Sequence, residues 1–186
     1  MPFSATTIDG TAYDLLTEVE TRLRAEIEGF NEGTCFICDS PVPPDAYFPT
    51  GGVVCTIALV DGHFDQGNYV GGGANVLTET CSLVITPMVN IVLDQPSRAR
   101  AALLNDGKGI LTRYKPRILR ALLVDDPDAA TLAPWFPVKN GLPMTRGAML
   151  PTRSDGPRQL QGADWLGLSL WFEVAFDWDL TLPAEV

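Results

Sequence analysis

The chain has a single histidine, His63, and only four cysteines in 186 residues. That scarcity removes most metal and nucleophile chemistry before any motif is sought. There is no nucleophile elbow, phosphate loop, HExxH pair or dinucleotide fingerprint. The expectation is a protein that is not an enzyme, with no catalytic residues, no cofactor and no metal. No apolar run approaches the roughly 20 residues of a membrane-spanning helix. The opening MPFSATTIDG lacks a basic segment followed by an apolar one, so no signal peptide is expected and folding is expected in the cytoplasm. Basic residues are also few. Thirteen Lys and Arg stand against 23 Asp and Glu, a net charge of −10. Such a surface repels phosphate and argues against a protein that grips nucleic acid, though not against one past which DNA slides. The one local basic cluster, RYKPRILR over 113–120, reads as a solvated helix face.

The four thiols are Cys35, Cys38, Cys55 and Cys81. Cys35 and Cys38 make a C-x-x-C, but a structural zinc site wants a second close pair, and Cys55 and Cys81 stand far apart. A redox C-x-x-C sits at a helix N-terminus, whereas Phe36 and Ile37 give this one the look of a strand. Reduced, metal-free, buried or half-buried thiols are expected, with zinc and a disulfide as the alternatives.

What is present is patterning. GTAYDLLTEVETRLRAEIEGF places Ala12, Leu15, Leu16, Val19, Leu23 and Ile27 on one helical stripe. Thr11 is the expected N-cap, and Gly29 the stop. A short strand is expected at 34–38 and a central strand, apolar on both faces, at 53–60. The residues 75–93 read as one long strand in which Pro87 marks a kink, a bulge or an edge position. Two helices follow: PSRARAALLND, and KGILTRYKPRILRALL with Ile110, Leu111, Tyr114, Ile118 and Leu122 on one side and Pro116 bending or splitting it. The chain ends in LSLWFEVAFDWDL, where Leu168, Leu170, Phe172, Val174, Phe176, Trp178 and Leu180 alternate with Ser169, Trp171, Glu173, Ala175, Asp177 and Asp179. That is a half-buried strand with one apolar and one largely acidic face. Long loops are expected at 39–52, 61–75 and 125–162, the second holding a mobile hairpin tip at Gly71, Gly72 and Gly73. Within the third, KNG reads as a tight turn and TRSDGPRQLQG as exposed loop.

The fold class expected is therefore a single α+β domain over 1–186. A mainly antiparallel sheet carries an N-terminal amphipathic helix and a central helical pair on one face. The acids Asp177 and Asp179 could hold a hard cation or do acid/base work, but on the polar face of an amphipathic strand they read as solvated.

The element order resembles that of tailed-phage tail terminators and related neck or minor tail proteins. The pieces that carry the resemblance are AYDLLTEVETRLRAEI, NVLTETCSLVI, ARAALLNDGKGILTRYKPRILRALL and LSLWFEVAFDWDL. The resemblance implies a structural virion protein. It would form a ring with copies of itself, expected as a hexamer, that caps the tail tube and joins it to the head-tail connector or neck protein. DNA would pass through the lumen without specific binding, and no membrane is involved. It implies no catalysis and no cofactor. On this reading Glu173, Asp177 and Asp179 face solvent or the lumen. The alternatives are another head-tail connector component and, from a different class, a non-viral domain that binds a small ligand.

Overall fold

A computed structural model describes residues 10–42, 52–64, 76–90, 104, 109–126, 131, 133–160 and 165–179. The described elements are helix α1 (Gly10–Glu26), β1 (Cys35–Ile37), β2 (Val53–Phe64) and β3 (Val76–Asn90). A π-helical turn (Ile110–Tyr114) then runs into α2 (Lys115–Leu123), followed by β4 (Val138–Lys139), β5 (Leu142–Pro143), β6 (Leu150–Gln159) and β7 (Trp165–Asp179). Five strands form one mixed sheet in the order β1-β2-β3-β7-β6, parallel only between β1 and β2. The α+β class is as expected.

The alternation of β7 sets the sheet's two faces. Leu168, Leu170, Phe172, Val174 and Phe176 are buried in one cluster with Ile57, Leu83 and Ile85 of the neighbouring strands. Leu15, Val19, Leu23 and Ile27 of α1 and Ile110, Ile118 and Leu122 of the second helical segment close over it. Both described helices thus cover the same face, each through the apolar stripe that its period-3.6 spacing creates. The far face is buried over part of its area, at Val54, Met88, Leu160 and Trp165, with Phe36 and Val42 packed beside them. There the buried hydroxyls of Thr86 and Ser169 meet at 3.0 Å across β3 and β7, and that of Thr56 donates to the Pro41 carbonyl at 2.5 Å. Buried polar groups are tolerated only when paired in this way.

Several expectations need correction. Thr11 lies inside α1, which already includes Gly10, so it is not the N-cap. Gly29 does end the segment, at φ 97°, a conformation glycine adopts without a Cβ clash. Pro87 marks no kink, bulge or edge. It sits in an interior strand, paired with Cys55 of β2. On the other side the ladder runs Ile85↔Leu170 and resumes at Met88↔Gly167 in the same register. The gap falls where proline has no N–H to give, and the Thr86–Ser169 hydroxyl pair spans it. Pro116 does not split its helix, which changes from a π-helical turn to an α-helix without a break. The amides of Tyr114 and Lys115 reach back five residues to the Gly109 and Ile110 carbonyls, and a regular α-helix follows.

The loop expected at 61–75 begins late, because 61–64, His63 included, are the end of β2. The loop expected at 125–162 is broken twice. Val138–Lys139 and Leu142–Pro143 form the hairpin that KNG suggests, with Asn140 at φ 53° and Gly141 at φ 79° in the mirror-image turn such hairpins favour. TRSDGPRQLQG is not a loop, since all but its end belongs to β6. The helix expected at PSRARAALLND and the tip Gly71–Gly73 lie outside the described residues, Leu104 alone excepted.

Candidate functional site

The alternating end of β7 brings the expected acidic face into view, and its members differ. Glu173 is exposed, opposite Leu150 of β6 and Ser82 of β3. Asp177 is not a free carboxylate. Its Oδ1 accepts from Arg146 Nε at 2.6 Å and from the Thr78 hydroxyl at 2.8 Å. The Arg146 amide also donates to the Ala175 carbonyl at 2.8 Å, which fixes the loop after β5 against β7. The side chain of Asp179 lies outside the described residues. No group of three or more His, Cys, Asp or Glu that could hold a metal occurs among the described residues. The arrangement at Asp177 therefore clamps a loop, its charge answered by one guanidinium. Both partners are well exposed, so Asp177→Ala is expected to cost no more than about 1 kcal/mol. Denaturant melts of the variant check this.

A shallow depression of about 320 Å³ opens beside this clamp, lined by Lys139, Asn140, Pro143, Met144, Thr145, Arg146 and Asp177. Lys139 is tied to Asp14 of α1 and Arg146 to Asp177. The two cations of the depression are thus engaged in holding the β4–β5 hairpin to the body of the fold, rather than presented to a ligand.

Cys35, Cys55 and Cys81 fall on the helix-covered face. Cys35 and Cys55 are cross-strand neighbours in the parallel pair, and both are fully buried. Burial, reinforced by the Cys35 thiol beside it, pushes Cys55 well above its ordinary range. Burial and then the Glu79 carboxylate push Cys81 from 9.0 up to about 12. All four cysteines are free, and Cys38 alone is only half buried. Maleimide should therefore label Cys38 in the native protein and the other three only after unfolding. Equal labelling of Cys55 would contradict the packing.

The same shifts set a pH dependence. The unfolded thiols lose their protons near pH 9 while folded Cys81 keeps its own to about 12, so stability falls as pH rises through that window. Denaturant midpoints under reductant should drop between about pH 8 and pH 10. The drop should shrink in the Cys55→Ala/Cys81→Ala variant.

The sheet's two ends are the remaining feature. β6 is exposed along nearly its whole length and, among the described residues, pairs only with β7. Two one-residue slips interrupt the pairing, between Pro151 and Arg153 and between Asp155 and Arg158. At the opposite end β1 covers β2 only at Cys55–Ile57, so among the described residues β2 from Ala58 to Phe64 pairs on one side alone. One large apolar side chain stands exposed on each end, Leu150 on β6 and Phe64 on β2. Trp171, next to β6, lies under the Arg153 guanidinium at 3.8 Å, and its buried Nε1 has no hydrogen-bond partner among the described residues. Sequence reading missed this edge because β6 lacks alternation. A strand covered on neither face has no reason to alternate, and each slip shifts the period by one.

The sequence matches no protein-family model and no curated protein.

Proposed function

We propose that this chain is a structural virion protein, a tail terminator whose copies form a ring that caps the tail tube of a tailed phage and joins it to the head-tail connector. The observation that carries the reading is that, among the described residues, the sheet is open at both ends, with both described helices confined to one face. Among the described residues each end presents a strand edge with an exposed apolar side chain, Leu150 on β6 and Phe64 on β2, a combination suited to a subunit contact. A ring places each edge at a subunit boundary. The element order of helix, long hairpin, helical segment and closing strand agrees with this, and so does the net charge of −10, which keeps a conduit wall from binding the phosphates that pass it. Glu173, exposed on the closing strand, is the acid available for such a wall, since Asp177 is already paired.

The test is to add the purified protein to polymerising tail tube protein from the same phage. Tubes that stop growing and carry an annular cap in negative-stain micrographs are expected. Unchanged tube lengths and bare tube ends would refute the assignment. A monomer that instead gains thermal stability from a small molecule would favour the ligand-binding alternative.

A further inference from the structure

We infer that the two ends of the sheet are complementary across a subunit boundary: the basic β6 end of one copy docks on the acidic β1–β2 end of the next. The inference rests on the ring-forming reading above and names its contact and its partner, a second copy of this chain.

Charge is distributed unevenly for a protein with 23 acids and 13 bases. At the β6 end stand Arg153 and Arg158, and Lys115 of α2 joins them by donating to the Ser154 hydroxyl at 3.3 Å. Only Asp155 opposes them on that strand, paired with Arg153 at 3.2 Å. Arg158 is exposed and has no ion-pair partner among the described residues. At the other end the signs reverse. The Cys38 amide donates to the Ile57 carbonyl, which carries the following residue, Asp39, along the outer side of β2. Asp61 lies further along the same strand, where β1 no longer covers it. Both carboxylates are exposed, and neither has an ion-pair partner among the described residues.

The apolar content matches as well, since Leu150 is 56% exposed at the basic end and Phe64 51% at the acidic end. An apolar anchor inside a rim of charge is the usual anatomy of a specific contact. Pro151, Pro157 and the two slips make β6 a poor template for an unbroken ladder. The contact is therefore made by side chains, with charge fixing register and partner choice. Because the two ends differ, the contact is head-to-tail, which closes into a ring when the rotation allows. Exposed charges also make it salt-sensitive.

Two variants test this, Arg153→Glu/Arg158→Glu and Asp39→Lys/Asp61→Lys. Each alone should sediment as a monomer, and an equal mixture should recover the wild-type oligomer, because the reversed edges then face each other. Wild-type oligomers should dissociate as salt rises from about 0.05 to about 0.5 M. Asp61 sits at φ 55°, so Asp39→Lys alone is the second acidic-end variant should the double one fail to fold. Assembly of either folded variant as in wild type, a folded mixture that stays monomeric, or a wild type that never associates would each overturn the inference. An oligomer that obeys the charge swap but leaves tail tubes uncapped would uphold the contact and refute the tail assignment.

Discussion

Replacing Phe172 by alanine is expected to lower stability by about 3–5 kcal/mol, a large share of the roughly 5–15 kcal/mol that holds a domain together. Phe172 has no exposure and lies opposite Leu83 on β3. It is buried in the cluster that joins the sheet to both described helices. Truncation removes the ring's transfer free energy and leaves a cavity that three packed elements can fill only in part. The neighbouring residue is the control. Glu173 points to the opposite face and is exposed, so Glu173→Ala should move stability by no more than about 0.5 kcal/mol. Urea melts of the two variants measure both. A loss from Glu173→Ala as large as that from Phe172→Ala would contradict the register of β7.

Arg22→Ala is expected to cost about 2–3 kcal/mol, the scale of hydrogen bonds to a charged group. Arg22 leaves α1 and closes the C-terminal end of α2. Its Nε donates to the Ala121 carbonyl at 3.3 Å, and its Nη2 to those of Val124 at 3.0 Å and Asp125 at 2.5 Å. The last carbonyls of a helix have no partner within it, and a cation there also meets the negative end of the helix dipole. The guanidinium lies 5.4 Å from the centre of the Trp135 ring and 3.5 Å from Glu26, so it binds three segments at once. Arg22→Lys should recover only part of the loss, because an ammonium cannot spread over three carbonyls as the planar fork does. Thermal melts of the alanine and lysine variants decide it. Equal stability of wild type and Arg22→Ala would show that water caps α2 as well as Arg22 does.

What could be read from the sequence was what repeats. The α1 stripe and the β7 alternation are imposed by burial of one side only, so period alone identified Leu15, Val19, Leu23, Phe172 and Phe176 as core. β6 had no period to read. Pro87 misled for a related reason: proline is rare in interior strands, and only the three-dimensional register shows that one lapse in the ladder accommodates it. The acidic face was legible as a face, but the Arg146–Asp177 pair joins residues 31 apart through a loop with no pattern of its own. Arg22 stands outside the apolar stripe of α1. Its role depends on where α2 ends, about a hundred residues on, which spacing within α1 cannot convey.

The most direct measurement of the central proposal is the mass of the purified protein in solution, by native mass spectrometry or sedimentation at low salt. A closed assembly of 20.1 kDa subunits is expected, six copies on the resemblance drawn from element order. A species that remains a 20.1 kDa monomer at every concentration and salt tested, with its fold intact, would contradict it.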